Sequence, residues 1–231
     1  MSDQIDVTSI SKTASLLYLM VIIFGMFSEV YVSQKIIVPG DPVATSQNII
    51  ASEFLYRLCF VADLIHHTCF FLVSVTLYRL FRAVNKNQAL VMMLFGVTSV
   101  PIMMLNMLNQ YIPLLLLGGA DYLTVFSTNQ LQTLALLFLD FHSYGYYIAG
   151  IFTGLYMLPL GQLVQDSGFI PKNIGFLVKI GGVGYLINVF TIFLFPRFEV
   201  VSYLGLAVSV IAELTLIYGL LKGNEKKYSQ T

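Results

Sequence analysis

Residues 89–117 read ALVMMLFGVTSVPIMMLNMLNQYIPLLLL, and no charged side chain interrupts this stretch. A helix needs about 20 mostly apolar residues to cross the hydrocarbon core of a bilayer. The stretch is long enough to cross that core with some tilt. It therefore predicts a transmembrane helix, which places the whole chain among membrane proteins.

The composition of the chain agrees with this interpretation. Of its 231 residues, 57% are apolar and 10% are charged, and the formal net charge is zero. Soluble domains carry about 25% charged residues. The composition excludes a disordered chain, a nucleic-acid-binding protein and an ordinary cytosolic enzyme. We predict an all-α fold, a polytopic membrane helix bundle.

Five further segments have the length and apolar character of spans. The six predicted transmembrane helices cover about residues 13–33, 54–82, 89–117, most of 129–165, 174–195 and 200–221. They form one integral membrane domain. Residues 1–12 precede the bundle at 13–221, and residues 222–231 form a tail after it. The apolar run that begins at residue 13 has no small-residue cleavage site, so we expect it to be retained as the first span.

The distribution of Lys and Arg predicts the orientation, because cytoplasmic loops carry an excess of these residues. With the N-terminus inside, the inner side receives nine of them: Lys12, Arg79, Arg82, Lys86, Lys172, Lys179, Lys222, Lys226 and Lys227. The outer side receives three: Lys35, Arg57 and Arg197. We therefore expect both termini to be cytoplasmic. Lys179 stands about one turn inside the fifth span and should extend its ammonium towards the interface.

The connecting segments contain residues that typically begin and end helices. Asp41 can cap the N-terminus of a short helix over residues 43–52, with Pro42 at its first position. Gly168 should end the fourth span in a left-handed conformation, and Pro171 should begin the fifth. Glu53 stands four residues before Arg57, which favours an ion pair along the helix.

Several segments together resemble one bacterial family of membrane proteins, catalogued as domain of unknown function 4386. The matching pieces are ASLLYL at 14–19, IVPGD at 37–41, ADL at 62–64, LYRL at 77–80, LDFHSYG at 139–145, SGFIPK at 167–172 and GYL at 184–186. The resemblance implies a multi-span protein of the bacterial plasma membrane and supplies no activity. His66-His67 stands where this family leads us to expect apolar residues.

Polar side chains inside the predicted spans indicate where a site would lie. An ionisable group at the bilayer centre costs about 2.5–3.5 kcal/mol on insertion scales and usually faces a bundle interior. Five polar residues from three spans lie at similar depth in the outer half: Asp63, Asn106, Asn109, Asp140 and His142. We expect them to share one pocket. The alternative is a set of separate hydrogen bonds between helices, each worth about 0.6 kcal/mol.

Helical periodicity refines the site in the second and fourth spans. Asp63, His66 and His67 share a stripe of the second span, although the two imidazoles diverge by about 100°. Asp140 and His142 are about 200° apart on the fourth span and cannot point at one neighbour. The predicted pocket comprises Asp63, His66, His67, Asn106, Asn109, Asp140, His142 and Tyr144.

The small residues of the fourth span suggest where His142 lies. His142 shares its face with Gly145 and Ala149, small residues that let a neighbouring helix approach. Asp140 shares its own face with Tyr144, whose hydroxyl can donate to a carboxyl one turn away. We expect Asp63 and Asp140 to border the pocket, with His142 at a contact between helices.

Two acidic residues stand apart from that set. Glu29 lies near the outer end of the first span and is expected to reach the headgroups. Glu213 lies deep in the sixth span with no charge nearby in sequence, so it should be neutral or find a partner on another span.

Three classes of function remain compatible with these residues. The favoured class is binding or transport of a small molecule or lipid through a protonatable pocket, and we identify no catalytic residue. A membrane-embedded metal-dependent hydrolase would use ligands such as Asp63, His67 and His142, but the spacing matches no metal motif. The third class is a non-catalytic protein that packs with membrane partners. We predict no cofactor. A bis-histidine haem would need histidines on two facing helices, for example His66 and His142, but the chain has only three histidines and the His66-His67 pair is atypical of the family it resembles. The lipid bilayer is the expected partner, and the sequence leaves the oligomeric state open.

Overall fold

The computed structural model describes residues 2–195, 197 and 199–228, with side chains over 7–195, 197 and 205–222. Residues 1, 196, 198 and 229–231 lie outside the described part, and so does the end of the predicted tail. Within the described residues all regular secondary structure is helical. This finding confirms the predicted all-α class.

Eight α-helices follow one another along the described chain. They are α1 Ser2–Gly25, α2 Ser33–Ile36, α3 Pro42–Ala51, α4 Glu53–Phe81, α5 Lys86–Leu117, α6 Thr128–Asp166, α7 Lys172–Leu194 and α8 Glu199–Tyr228. A π-helical segment, Met26–Val32, joins α1 to α2, and a 3₁₀ turn, Asp121–Leu123, precedes α6.

Six stretches of these helices are long and apolar enough to cross a membrane. They are Val7–Ile36, Glu53–Phe81, Lys86–Leu117, Thr128–Asp166, Lys172–Leu194 and Gly205–Lys222. They agree with the six predicted spans to within several residues, so the polytopic architecture is confirmed. The cytoplasmic placement of both termini stays a prediction.

Many large apolar side chains of these spans are exposed, as lipid-facing side chains must be. Leu105 is 70% exposed, Leu108 60% and Phe176 59%. A monomeric soluble protein rarely exposes apolar surface on this scale. The exposed apolar surface therefore fits contact with a lipid bilayer.

The first span is not α-helical throughout. The segment Met26–Val32 is a π-helix, in which each backbone hydrogen bond spans five residues instead of four. The Ser33 backbone N–H, for example, donates to the Ser28 carbonyl oxygen. The Ser33 hydroxyl donates to the same carbonyl oxygen over 3.0 Å. Such π turns are rare and often occur at functional sites. This segment carries two of the polar side chains described below.

The predicted helix ends are confirmed. Asp41 Oδ1 accepts the Ala44 backbone N–H over 2.9 Å, with Pro42 as the first residue of α3. Gly168 has φ +73°, the left-handed conformation that favours glycine. Pro171 directly precedes α7.

The chain forms two compact units. The first comprises Met1–Leu19, Cys69–Pro101 and Tyr147–Thr231, and the second comprises Met20–Thr68 and Ile102–Tyr146. In the first unit α6 and α7 approach at backbone distance. A Cβ on Gly154 would lie 2.9 Å from the Gly182 carbonyl oxygen, so glycine is required at this crossing.

The second unit has an apolar core beside its polar residues. The buried members of this core are Val32, Ile36, Ile49, Tyr56, Cys59, Leu114 and Leu139. The Tyr56 hydroxyl donates to the Gln110 carbonyl oxygen over 2.5 Å and so joins α4 to α5. This contact holds α4 and α5 together one to two turns from Asp63, the carboxyl at the centre of the candidate site.

Candidate functional site

Asp63 of α4 is the most buried carboxyl of the second unit, with 2% of its surface exposed. The Ser28 hydroxyl, from the π-helical segment, donates to Asp63 Oδ1. Gln110 Nε2 of α5 donates to Asp63 Oδ2 over 2.8 Å. Donors from the first and third spans thus hold a carboxyl of the second. Each donor lowers the cost of keeping this polar group out of water.

His142 of α6 is bound to Asn106 of α5. Asn106 Nδ2 donates to the His142 carbonyl oxygen over 2.8 Å and lies 3.3 Å from the ring nitrogen Nδ1. The same Nδ1 is 3.4 Å from the Asn106 carbonyl oxygen. One ring nitrogen therefore faces both a donor and an acceptor. Asn109 Nδ2 donates to Asn106 Oδ1 over 3.0 Å and so orients the Asn106 amide.

Gly145 makes this contact possible. A Cβ at Gly145 would overlap the Asn106 amide, with Asn106 Nδ2 only 2.7 Å away. The small face shared by Gly145 and His142 is thus a close contact between α6 and α5. This agrees with the expected position of His142 at a contact between helices.

Glu29 of the π-helical segment faces the other side of the His142 ring. Glu29 Oε1 lies 3.7 Å from His142 Nε2, and the glutamate side chain is 35% exposed. The two groups form an ion pair when the imidazole is protonated. Glu29 therefore has a partner inside the protein, in contrast to the expectation that it reaches the headgroups.

A small cavity lies beside these residues. Its volume is about 10 Å³, room for a single water molecule. Gln110 and His142 line it, together with apolar residues such as Ile36 and Leu139. Within the described residues, the buried atoms Gln110 Oε1 and His142 Nε2 have no hydrogen-bond partner. Because buried polar atoms are almost always satisfied, these two atoms mark a place for a small polar ligand or water.

The two adjacent histidines of α4 have other neighbours. His66 Nδ1 lies 2.8 Å from the Val21 carbonyl oxygen, and a Cβ at Gly25 would lie 2.8 Å from the same nitrogen. The His67 ring packs edge-on against the His66 ring, with centroids 4.7 Å apart. Neither imidazole is among the described hydrogen-bond partners of Asp63. Asp63, His66 and His67, which helical periodicity placed on one stripe of α4, therefore do not form a single hydrogen-bonded network.

Asp140 and Tyr144 lie on the opposite side of α6 from His142. Asp140 is exposed and Tyr144 is 49% exposed, whereas His142 is 7% exposed. The angular separation of about 200° explains this placement, since an inward His142 turns Asp140 outward. The structure brings Asp63, Asn106, Asn109 and His142 into one region of the second unit and leaves Asp140 out of it.

Sequence reasoning left Ser28, Glu29 and Gln110 out of the pocket. Gln110 stands four residues after Asn106 and so shares its helix face, a signal that was available. Ser28 and Glu29 lie in the π-helical segment, and nothing in their spacing indicates partners on α4 and α6.

The geometry does not favour the metal-dependent hydrolase. Within the described residues no three His, Cys, Asp or Glu side chains come close enough to hold a metal ion. In particular, His67 contacts the His66 ring, whereas His142 contacts Asn106 and Glu29. The ligand set suggested by the sequence, Asp63 with His67 and His142, is therefore not assembled.

The first unit contains a second buried carboxyl. Glu213 of α8 is 9% exposed, and the hydroxyl of Tyr18 on α1 lies near it. Tyr18 is completely buried, and within the described residues its hydroxyl makes no hydrogen bond. The expected partner of Glu213 on another span stays a prediction.

Comparison with known proteins assigns the family. Residues 13–223 match the family described as domain of unknown function (DUF4386). The chain belongs to this family. The resemblance inferred from the sequence is thereby confirmed, and the family carries no stated activity.

One curated relative of this DUF4386 protein is an uncharacterised protein of Archaeoglobus fulgidus. The two are 31% identical over 117 residues, which is 50% of this chain and 56% of that protein. The chain thus spans about half the length of the curated relative it matches. No solved structure matches the chain.

Proposed function

We propose that this DUF4386 protein is a proton-exchanging membrane protein. Glu29, Asp63 and His142, here called the proton cluster, take up and release a proton. This exchange accompanies binding or transport of a small polar molecule or lipid. Ionisable residues inside spans are commonly parts of proton relays or solute pathways.

The observation that carries the proposal is the environment of His142. Its Nδ1 faces both the Asn106 amide, which can donate to it, and the Asn106 carbonyl, which can accept from it. Its Nε2 faces the Glu29 carboxylate at 3.7 Å. A neutral ring accepts at one nitrogen and donates at the other, whereas a protonated ring donates at both. At Nδ1 both protonation states therefore have a partner, while Nε2 faces Glu29 at ion-pair distance and makes no hydrogen bond among the described residues.

The charges of the proton cluster support a shared proton. An isolated charge in an apolar interior is costly, so neighbouring ionisable groups tend to neutralise one another. Glu29 and His142 can do so as a pair, while Ser28 and Gln110 hydrogen-bond Asp63. A proton that the cluster takes up from water raises the net charge of this region by one, and its release restores the original charge. Such a change is what couples proton uptake to a conformational or binding event.

The cavity beside the cluster supports a proton as the primary ligand. Its volume of about 10 Å³ admits one water molecule and nothing as large as a metabolite. A water there would satisfy the unpartnered Gln110 Oε1 and His142 Nε2. It would also extend the hydrogen-bond path from Gln110, which binds Asp63, to the His142 ring. A solute would need the helices to open, as in transport cycles.

Proton flux through reconstituted protein tests the proposal directly. Proteoliposomes with a trapped pH-sensitive dye are given a pH gradient and a potassium diffusion potential. We expect the wild type to move protons and Glu29→Gln and Asp63→Asn to reduce the rate by about 100-fold, the lower end of what one positioned proton-transfer group contributes. Asp140→Asn is the matched control, because its carboxyl is exposed and outside the cluster. Equal flux in wild type and empty vesicles would overturn the transport part of the proposal.

The titration of His142 tests proton exchange without a transport assay. The chain has only three histidines, so ¹⁵N-labelled histidine gives signals from three rings, with two nitrogens each, that can be assigned. We expect the His142 signal to titrate and its midpoint to move in Glu29→Gln but not in Asp140→Asn. A His142 signal that is indifferent to Glu29→Gln would contradict the proposed pairing.

A further inference from the structure

We infer that the first unit carries a binding groove for an anionic phospholipid, centred on Lys179 of α7. The groove has a volume of about 710 Å³. It lies in a different compact unit from the proton cluster and does not depend on the proposed function. Its two ends differ in chemistry, and this difference identifies the ligand.

The polar end of the groove contains a cation that no described carboxylate contacts directly. Lys179 Nζ donates to Gln162 Oε1 over 2.5 Å and to Gln165 Oε1 over 2.7 Å. Both partners are neutral amides. Among the described residues no carboxylate forms an ion pair with Lys179. An ammonium has three donors, so one N–H remains for a ligand.

The amide partners are themselves held in place. Gln162 Nε2 donates to both carboxylate oxygens of Asp166, each over 3.0 Å, which turns Gln162 Oε1 towards Lys179. Asp166 is exposed, and its carboxylate reaches the ammonium only through the Gln162 amide. The lysine is therefore fixed in position by neutral side chains, and among the described residues no carboxylate contacts it directly. The ammonium reaches from the level of Gly161 towards Gln165 near the end of α6, a direction compatible with the snorkelling expected from the sequence.

The start of α5 adds donors to the same end. Asn87 and Gln88 line the groove in the first turn of α5, and Asn85 Oδ1 caps the Gln88 backbone N–H over 3.1 Å. Side-chain amides and a lysine are groups that hydrogen-bond the oxygens of a phosphodiester. The positive end of the helix dipole favours an anion at this position.

The other end of the groove is apolar. Val91, Leu158 and Pro159 line it, and Val91 is 45% exposed. Val91 lies about 6 Å further along α5 than Asn87, at 1.5 Å per residue. A phosphate at the polar end thus places an attached acyl chain along apolar side chains. This combination fits a phospholipid better than a free phosphate.

The position along the spans agrees with a headgroup site. Asn85 directly precedes α5, and Lys179 lies about 10 Å into α7. The basic residues Arg82, Lys86 and Lys172 stand at the same helix ends and are exposed. The positive-inside distribution assigns these helix ends to the cytoplasmic side, where anionic lipids attract basic residues. Basic pockets between spans on that side are known to bind acidic headgroups.

Binding of defined lipids to the full-length protein tests this inference. The protein in detergent is titrated with phosphatidylglycerol or phosphatidylcholine, and bound lipid is counted by native mass spectrometry alongside the melting temperature. We expect phosphatidylglycerol to bind more tightly, and Lys179→Gln to weaken its binding about fivefold, the contribution of one basic residue near an anionic surface. Lys172→Gln is the matched control, since Lys172 lies on the same helix outside the groove, and it should retain the preference.

A second variant tests the same groove in case Lys179→Gln fails to fold. Val91→Trp fills the apolar end of the groove while leaving Lys179 and its partners unchanged. We expect it to weaken binding of phosphatidylglycerol with no change of melting temperature in phosphatidylcholine. If Lys172→Gln weakens binding as much as Lys179→Gln, the attraction is a general surface effect and the inference is wrong. If inorganic phosphate at millimolar concentration reproduces the stabilisation, the site takes a free anion and the lipid assignment fails.

Discussion

Glu29 Oε1 of the first span lies 3.7 Å from His142 Nε2 of the fourth. The other nitrogen of the same ring is bound by Asn106 of the third span. The imidazole thus joins three spans of the second unit, and the second span contributes Asp63 to the same cluster of polar residues. A change in the protonation of the His142 ring would therefore alter contacts with the first and third spans.

Removal of the Asp63 carboxyl should destabilise the protein. Asp63→Leu leaves the buried donors Ser28 Oγ and Gln110 Nε2 without their acceptor. An unsatisfied buried polar group costs about 1–3 kcal/mol. We expect a lower melting temperature in detergent. Asp140→Leu, at an exposed position, should change stability by no more than about 0.5 kcal/mol, and the double variant should melt like Asp63→Leu alone.

A side chain at position 145 should break the contact between Asn106 and His142. The Cβ of Gly145→Ala would overlap the Asn106 amide, which also contacts Asn109. Overpacking of this kind costs about 1–3 kcal/mol. The His142 ring signal should shift together with the loss of stability. Ser143→Ala, on the exposed side of the same helix, provides the comparison, and an unchanged ring signal in Gly145→Ala would argue against the close approach.

The turn at Gly168 provides a test of backbone conformation alone. Gly168 has φ +73°, and nothing lies within 4 Å of a Cβ built there. Gly168→Val should therefore cost about 1–2 kcal/mol, the penalty for a side chain in the left-handed region. Asn173→Ala, at an exposed position in the first turn of α7, should have little effect. Equal melting temperatures for the wild type and Gly168→Val would contradict this account.

The orientation of the spans is tested by tag and cysteine accessibility. Because nine Lys and Arg fall on one predicted side and three on the other, both termini should be cytoplasmic. A C-terminal tag should be protected from reagents added outside intact cells. A cysteine at Gly40, in the turn before α3, should be labelled from outside in a background without Cys59 and Cys69. Labelling of the tag in intact cells would reverse the topology.

The sequence alone determined the fold class, the six spans and most helix ends. A charge-free stretch as long as residues 89–117 is typical of a helix that spans a bilayer. Asp41 and Gly168 end or begin helices through the backbone geometry of their immediate neighbours. These features depend on composition and on neighbours within a few residues. They can therefore be predicted before any contact between helices is known.

Only the tertiary structure decided which polar side chains meet. Asn106 and His142 were expected in one site and are in contact, while Asp140 turns outward because the same helix cannot face two ways. Ser28 and Glu29 join the site from the π-helical segment Met26–Val32, where they reach partners on α4 and α6. Depth in the membrane can be counted along one helix, but partners depend on how several helices are rotated against one another.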